Sequence, residues 1–126
     1  LTNLLWIGVG GFVGAILRYL VGAYVQGLTQ SLNFPYGTLV VNLVGCWLIG
    51  FLFYLPALHD TLDNQLRLLL ITGVLGAFTT FSTFGNESLR LLQNQRTGAA
   101  LIYIGASVCA GLVAVRVGQL LAEQLR

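Results

Sequence analysis

The sequence predicts an all-α membrane protein: one domain spanning residues 1–126, with four transmembrane helices and the third helix broken near its middle. Three observations predict it. The 126 residues are 56% hydrophobic and 8% charged, with a mean hydropathy of +0.84, where soluble domains run at about 25% charged. The apolar residues form continuous runs long enough to cross a bilayer, not the alternating pattern of a membrane barrel. One run nevertheless holds Thr79, Thr80, Ser82 and Thr83 within five positions, more polarity than a lipid anchor needs.

The same composition excludes several function classes. The formal net charge is +2 with no lysine, which gives no basis for nucleic-acid binding. Cys46 and Cys109 fall in apolar runs and are expected as buried thiols, without disulfide or metal-ligand character. Residues 1–17 carry no Lys or Arg, so no cleaved leader is expected. No second domain, low-complexity tract or internal repeat is expected.

The first helix is expected over about residues 4–25, with Trp6 and Tyr24 near its ends as interfacial aromatics. Its Gly10-x-x-x-Gly14 and Gly11-x-x-x-Ala15 pairs permit close helix packing. Arg18 interrupts it. The second helix is expected over about residues 36–55, between Pro35 and Pro56, with Thr38, Asn42 and Cys46 spaced by four along one polar stripe. The linker over residues 57–65 carries His59, Asp60 and Asp63, and His59 there reads as a solvated loop residue.

The third helix is expected over about residues 66–92 with a break near 76–80. β-branched Thr pairs beside Gly weaken a helix locally. An open backbone is tolerated in lipid only where protein or water covers it, and such breaks mark ion or substrate sites. The plain alternative is a continuous helix whose hydroxyls bond back to it. Phe78, Phe81 and Phe84 recur every third residue and would share one side of that helix. Gly73-x-x-x-Ala77 is another close-packing pair, and Glu87, Arg90 and Arg96 cluster toward the helix end and the following link. The fourth helix is expected over about residues 98–121, with Ala106, Ala110, Ala114 and Gly118 as a small-residue stripe and Tyr103 and Ser107 as a polar pair.

Four such helices fill their own centre with side chains, so a conduit needs a second copy. Topology puts Arg67 and Arg126, with Arg116 if it reaches the interface, toward one face of the membrane and Arg90 and Arg96 toward the other. That near balance fixes no orientation under the positive-inside rule. It suits insertion both ways and an antiparallel dimer.

Arg18 is the charged residue that lies far from every expected helix end, and a charge at such depth costs at least about 2.5 kcal/mol. It either draws in an anion or bonds carbonyls and headgroups. Asn42 can donate to an anion or lock two helices together. Phe81 and Phe84 can present positive ring edges to an anion or simply pack. No acid–base pair, nucleophile–histidine arrangement, phosphate loop or metal cluster is visible, so an enzyme is not expected.

In these residues the chain resembles the Fluc-type fluoride channels, or CrcB-like family, over nearly its whole length. Four pieces carry the resemblance: Gly10-Gly11-x-x-Gly14-Ala15-x-x-Arg18-Tyr19; Gly37-Thr38-x-x-x-Asn42-x-x-Gly45; Gly73-x-x-Gly76-x-x-Thr79-Thr80-Phe81-Ser82-Thr83-Phe84; and Tyr103-x-x-x-Ser107. Ala77 stands where the family often has a second glycine. The resemblance implies a passive, selective channel exporting fluoride across the bacterial inner membrane, built as an antiparallel, dual-topology homodimer with two pores. It implies that Phe81 and Phe84 line the pores, with Asn42 on the ion and Thr38, Ser82, Thr83, Tyr103 and Ser107 along a polar track. It places Arg18 at the vestibule. It implies a structural Na⁺ on the two-fold axis, held by the backbone carbonyls of Gly76 and Thr79, and membrane lipid around the dimer.

The rival class is a small dual-topology, proton-coupled exporter of the multidrug-resistance type. By resemblance those proteins use a carboxylate in the first helix, where this chain has only Arg18. A non-transporting assembly subunit explains the small-residue stripes but not the hydroxyl–Phe stretch.

Overall fold

In the computed structural model, residues 1–60 and 64–125 are described. Asp63 and Arg126, and the side chains of His59 and Asp60, lie outside the described residues. Helix α1 runs over Thr2–Thr29 and ends where Gln30 turns left-handed at φ 49°. Its 28 residues reach about 42 Å, more than the hydrocarbon core of about 30 Å. Helix α2, Tyr36–Tyr54, starts after Pro35 and stops where Leu55, before Pro56, is extended. The short α3, Pro56–Asp60, occupies part of the expected loop.

The third span covers Asn64–Gln93 and changes character four times. It begins as α4, Asn64–Arg67, and widens into a π-helix over Leu68–Leu75. It narrows again to α5, Gly76–Phe78, and breaks at Thr79 and Thr80, both extended. It resumes as α6, Phe81–Gln93. Helix α7, Thr97–Glu123, completes four helices long and apolar enough to span a membrane. The α6–α7 link is tight: Gln95 adopts φ 59°, and the Arg96 N–H returns to the Leu91 carbonyl at 2.8 Å.

Two helix pairs hold the bundle, α2 on α7 and α1 on the π-helix. Both are backbone-to-backbone contacts made possible by glycine. A methyl at Gly10 would press on the Leu69 carbonyl and come 2.9 Å from the Gly73 Cα, and one at Gly14 would press on the Val74 carbonyl. At the other pair, a methyl on Gly118 would press on the Trp47 carbonyl and come 2.7 Å from the Phe51 nitrogen. The Gly10–Gly14 pair is thus used inside the chain, whereas Gly11 meets nothing of its own chain. Cys46 is half-buried, but Cys109 is exposed on the outer face of α7 rather than buried, because that helix buries a different stripe.

Candidate functional site

The site is built around the break between α5 and α6. Two extended residues within a span leave backbone groups that must find partners. Asn42 of α2 supplies two of them. Its Oδ1 accepts from the Thr80 N–H at 2.8 Å, and its Nδ2 donates to the Thr80 carbonyl at 3.1 Å. The amide thus stands in for a neighbouring peptide. Thr80 caps α6: its Oγ1 accepts from the Thr83 N–H at 3.2 Å and donates to the Thr83 hydroxyl at 3.0 Å. Thr79 bonds back to the Leu75 carbonyl through both its N–H and its hydroxyl, each at 3.1 Å. A methyl at Gly45 would overlap the Thr79 side chain, so the approach of α2 to the break needs glycine there.

These bonds free two carbonyls. The Thr80 N–H goes to Asn42 instead of Gly76, and the Thr83 N–H goes to Thr80 Oγ1 instead of Thr79. Neither the Gly76 nor the Thr79 carbonyl therefore receives the donor that a continuous helix would give it. Two such oxygens suit a hard cation. Among the described residues no group of three His, Cys, Asp or Glu side chains converges.

Against the break lies a cleft of about 390 Å³, lined by Asn42, Cys46, Gly76, Phe81, Phe84 and Ser107 among others. Phe81 and Phe84 are 5.5 Å apart between ring centres and tilted by 46°. Phe81 is 83% exposed, and Ser82 and Thr83 beside it are exposed too. The Ser107 hydroxyl is buried and has no hydrogen-bond partner among the described residues. An unpaired buried hydroxyl is costly, and this one lines a cleft beside an amide and two aromatic rings.

A second cleft, about 470 Å³, lies toward the α1–α2 connection and is lined by Thr38, Glu87, Arg90 and Arg96 among others. A chain of side chains joins the two. Phe84 packs on Tyr103 at 5.3 Å, and Tyr103 is fully buried. The Tyr103 hydroxyl donates to Glu87 Oε2 at 2.7 Å, and the Thr38 hydroxyl donates to Oε1 at 2.9 Å.

The structure brings Asn42, Phe81, Phe84 and Ser107 to one cleft and joins Tyr103 and Thr38 to it through Glu87. Glu87 is the residue that sequence reasoning left among the helix-end charges. The available signal was its place with Phe84, Ser88 and Leu91 at i, i+3, i+4 and i+7 on one face of α6. Arg18, half-buried on α1, lines neither cleft, and its side chain has no hydrogen bond or ion pair among the described residues. Phe78 does not share a face with Phe81: it is 6% exposed against 83%, because the break between them resets the helical phase.

Four apolar spans that turn their polar groups into clefts between helices define an integral membrane protein with a helical bundle. The chain belongs to the family described as CrcB-like protein, Camphor Resistance (CrcB), whose profile matches residues 5–119. It is 40% identical over 121 residues to the fluoride-specific ion channel FluC of Acidobacterium capsulatum, covering 96% of each chain. It is 43% identical over 123 residues to the fluoride-specific ion channel FluC 1 of Methanosarcina acetivorans, covering 98% of this chain and 92% of the other. It is 44% identical over 125 residues to the FluC of Phocaeicola vulgatus, covering 98% of this chain and all of the other.

Proposed function

We propose that the chain is a passive fluoride channel of a bacterial inner membrane, working as an antiparallel, dual-topology homodimer with two pores. The observation that carries the reading is the unpartnered, buried Ser107 hydroxyl in a cleft beside Asn42, Phe81 and Phe84, in a chain whose relatives are named fluoride-specific channels. A strongly hydrated anion must exchange water for donors. Ser107 has an unused O–H, Asn42 retains an N–H beyond the one given to Thr80, and the ring edges add weak positive charge. Beyond Phe84 the path continues along Tyr103 and Thr38. Their hydroxyls now serve Glu87, so they must turn from the carboxylate to meet a passing anion. Ser82 and Thr83 lie at the start of α6, where the partner copy would cover them. Arg18 would serve the vestibule that the second copy completes.

Export follows from acid chemistry. Neutral hydrogen fluoride crosses a bilayer and dissociates in the less acidic interior, and the membrane potential drives the trapped anion out through a channel. Fluoride efflux from liposomes, driven by a potassium gradient with ionophore, tests this. Potential-driven efflux without a proton gradient is expected. Efflux that requires a proton gradient would favour the small proton-coupled exporter, and none at all would remove both readings.

The freed Gly76 and Thr79 carbonyls support a structural Na⁺ where two breaks meet across the dimer axis. The ion would supply charge that holds the paired breaks together. Dimers refolded with an organic cation replacing Na⁺ should lose thermal stability and regain it with Na⁺. Equal stability in both media would remove the site.

A further inference from the structure

We propose that the second cleft is an anion-collecting mouth of the permeation path, with Arg90 and Arg96 as its attracting charges. The proposal rests on the fluoride-channel reading and goes beyond it in assigning these two arginines. Three observations carry it. First, the cleft is continuous with the hydroxyl path: Thr38 and Glu87 line it, and Glu87 is bonded to Tyr103, which packs on Phe84 of the first cleft. Second, its wall is ordered. The Gln26 side chain donates to the Ser31 carbonyl at 2.5 Å and to the Phe34 carbonyl at 3.1 Å, and accepts from the Gly37 N–H at 3.0 Å. That staples the α1–α2 connection over the start of α2. Third, the charge is unspent. Glu87 is the acid among the lining residues, and both its oxygens are taken by hydroxyls. Arg90 and Arg96 line the same cleft, are exposed, and their side chains have no ion pair or hydrogen bond among the described residues.

Two guanidiniums against one carboxylate leave the cleft net positive. A cleft with low-dielectric walls focuses such a field and raises the local anion concentration. The competing use of exposed arginines at a membrane surface is to hold lipid headgroups. Their position in a cleft that reaches the hydroxyl path favours the mouth.

The test is the initial rate of fluoride efflux from vesicles of neutral phosphatidylcholine at low fluoride. It compares the parent with Arg90→Gln/Arg96→Gln and Arg90→Lys/Arg96→Lys. At about 10 mM ionic strength the field reaches roughly 30 Å, and at about 1 M of an impermeant salt roughly 3 Å. The Gln pair is expected to slow efflux about three- to tenfold at low salt and to match the parent at high salt, with the Lys pair near parental throughout. Should the Gln pair not elute like the parent, each single Gln substitution is expected to give part of the same salt-dependent loss. Equal rates at low salt overturn the proposal. So does a loss that is the same at both salts, which marks packing, or one confined to vesicles with anionic lipid, which assigns the arginines to headgroups. A parent without fluoride efflux ends the channel reading itself, an outcome distinct from these.

Discussion

At the scale of single residues, Asn42 serves the backbone before it can serve an ion. Its carbonyl and one of its N–H bonds hold Thr80. Asn42→Asp keeps an acceptor for the Thr80 N–H but sets a carboxylate oxygen against the Thr80 carbonyl. The lost donor should cost about 1–3 kcal/mol, and the negative charge should cut fluoride flux per folded dimer at least about tenfold, the equivalent of about 1.4 kcal/mol. Parental flux in a folded Asn42→Asp dimer would put the amide off the path. The two phenylalanines divide differently. Phe84 packs on Tyr103, while Phe81 is 83% exposed. Phe84→Ile should cost about 1 kcal/mol of stability and Phe81→Ile much less. If ring edges meet the ion, both should lower flux by orders of magnitude. Phe81→Ile is the sharper test, since stability and flux separate there. Near-parental flux in both variants would leave the rings as packing.

At the scale of elements, the four spans and the interruption of the third were legible in the sequence, because hydropathy gives length and the crowded hydroxyls mark weakness. Three features were not. The segment Leu68–Leu75 reads as an ordinary apolar helix; a π-helix is set by packing, here against α1, and not by residue type. The shared face of Phe78 with Phe81 failed because the extended pair Thr79–Thr80 resets the phase, so a period counted across it carries no information. Glu87 escaped for the same reason: its inward direction depends on the phase of α6 alone. What glycine spacing did give was the α1 contact. Gly14→Ala should destabilise the chain by about 1–3 kcal/mol, since its methyl meets the Val74 backbone. Gly27→Ala, which meets nothing, should be neutral or stabilising by up to about 1 kcal/mol. Unfolding midpoints in detergent check this, and equal midpoints for the two variants would mean that the α1 contact is not tight.

At the scale of the molecule, one chain leaves part of the candidate site uncovered. Phe81, Ser82 and Thr83 are exposed in a span where uncovered hydroxyls are unfavourable, and Phe81 lines the cleft beside them. A second copy is the simplest cover, and the charges say how it would come. Arg90 and Arg96 stand at the end of the bundle with the α1–α2 connection, Arg67 at the other, and Arg116 in the half of α7 leading toward that other end. Neither end has an excess that would fix orientation. Two or three lysines added to one end should therefore force a single topology, because each shifts a balance now close to zero. If the working unit is antiparallel, that variant alone should assemble poorly and carry little fluoride. The variant with lysines at the opposite end should behave the same way, and co-expression of the two should restore flux. The measurement is efflux from liposomes containing each variant singly and both together. Full activity in either one alone would rule out the antiparallel dimer and with it the two-fold meeting of the breaks on which the proposed Na⁺ site depends.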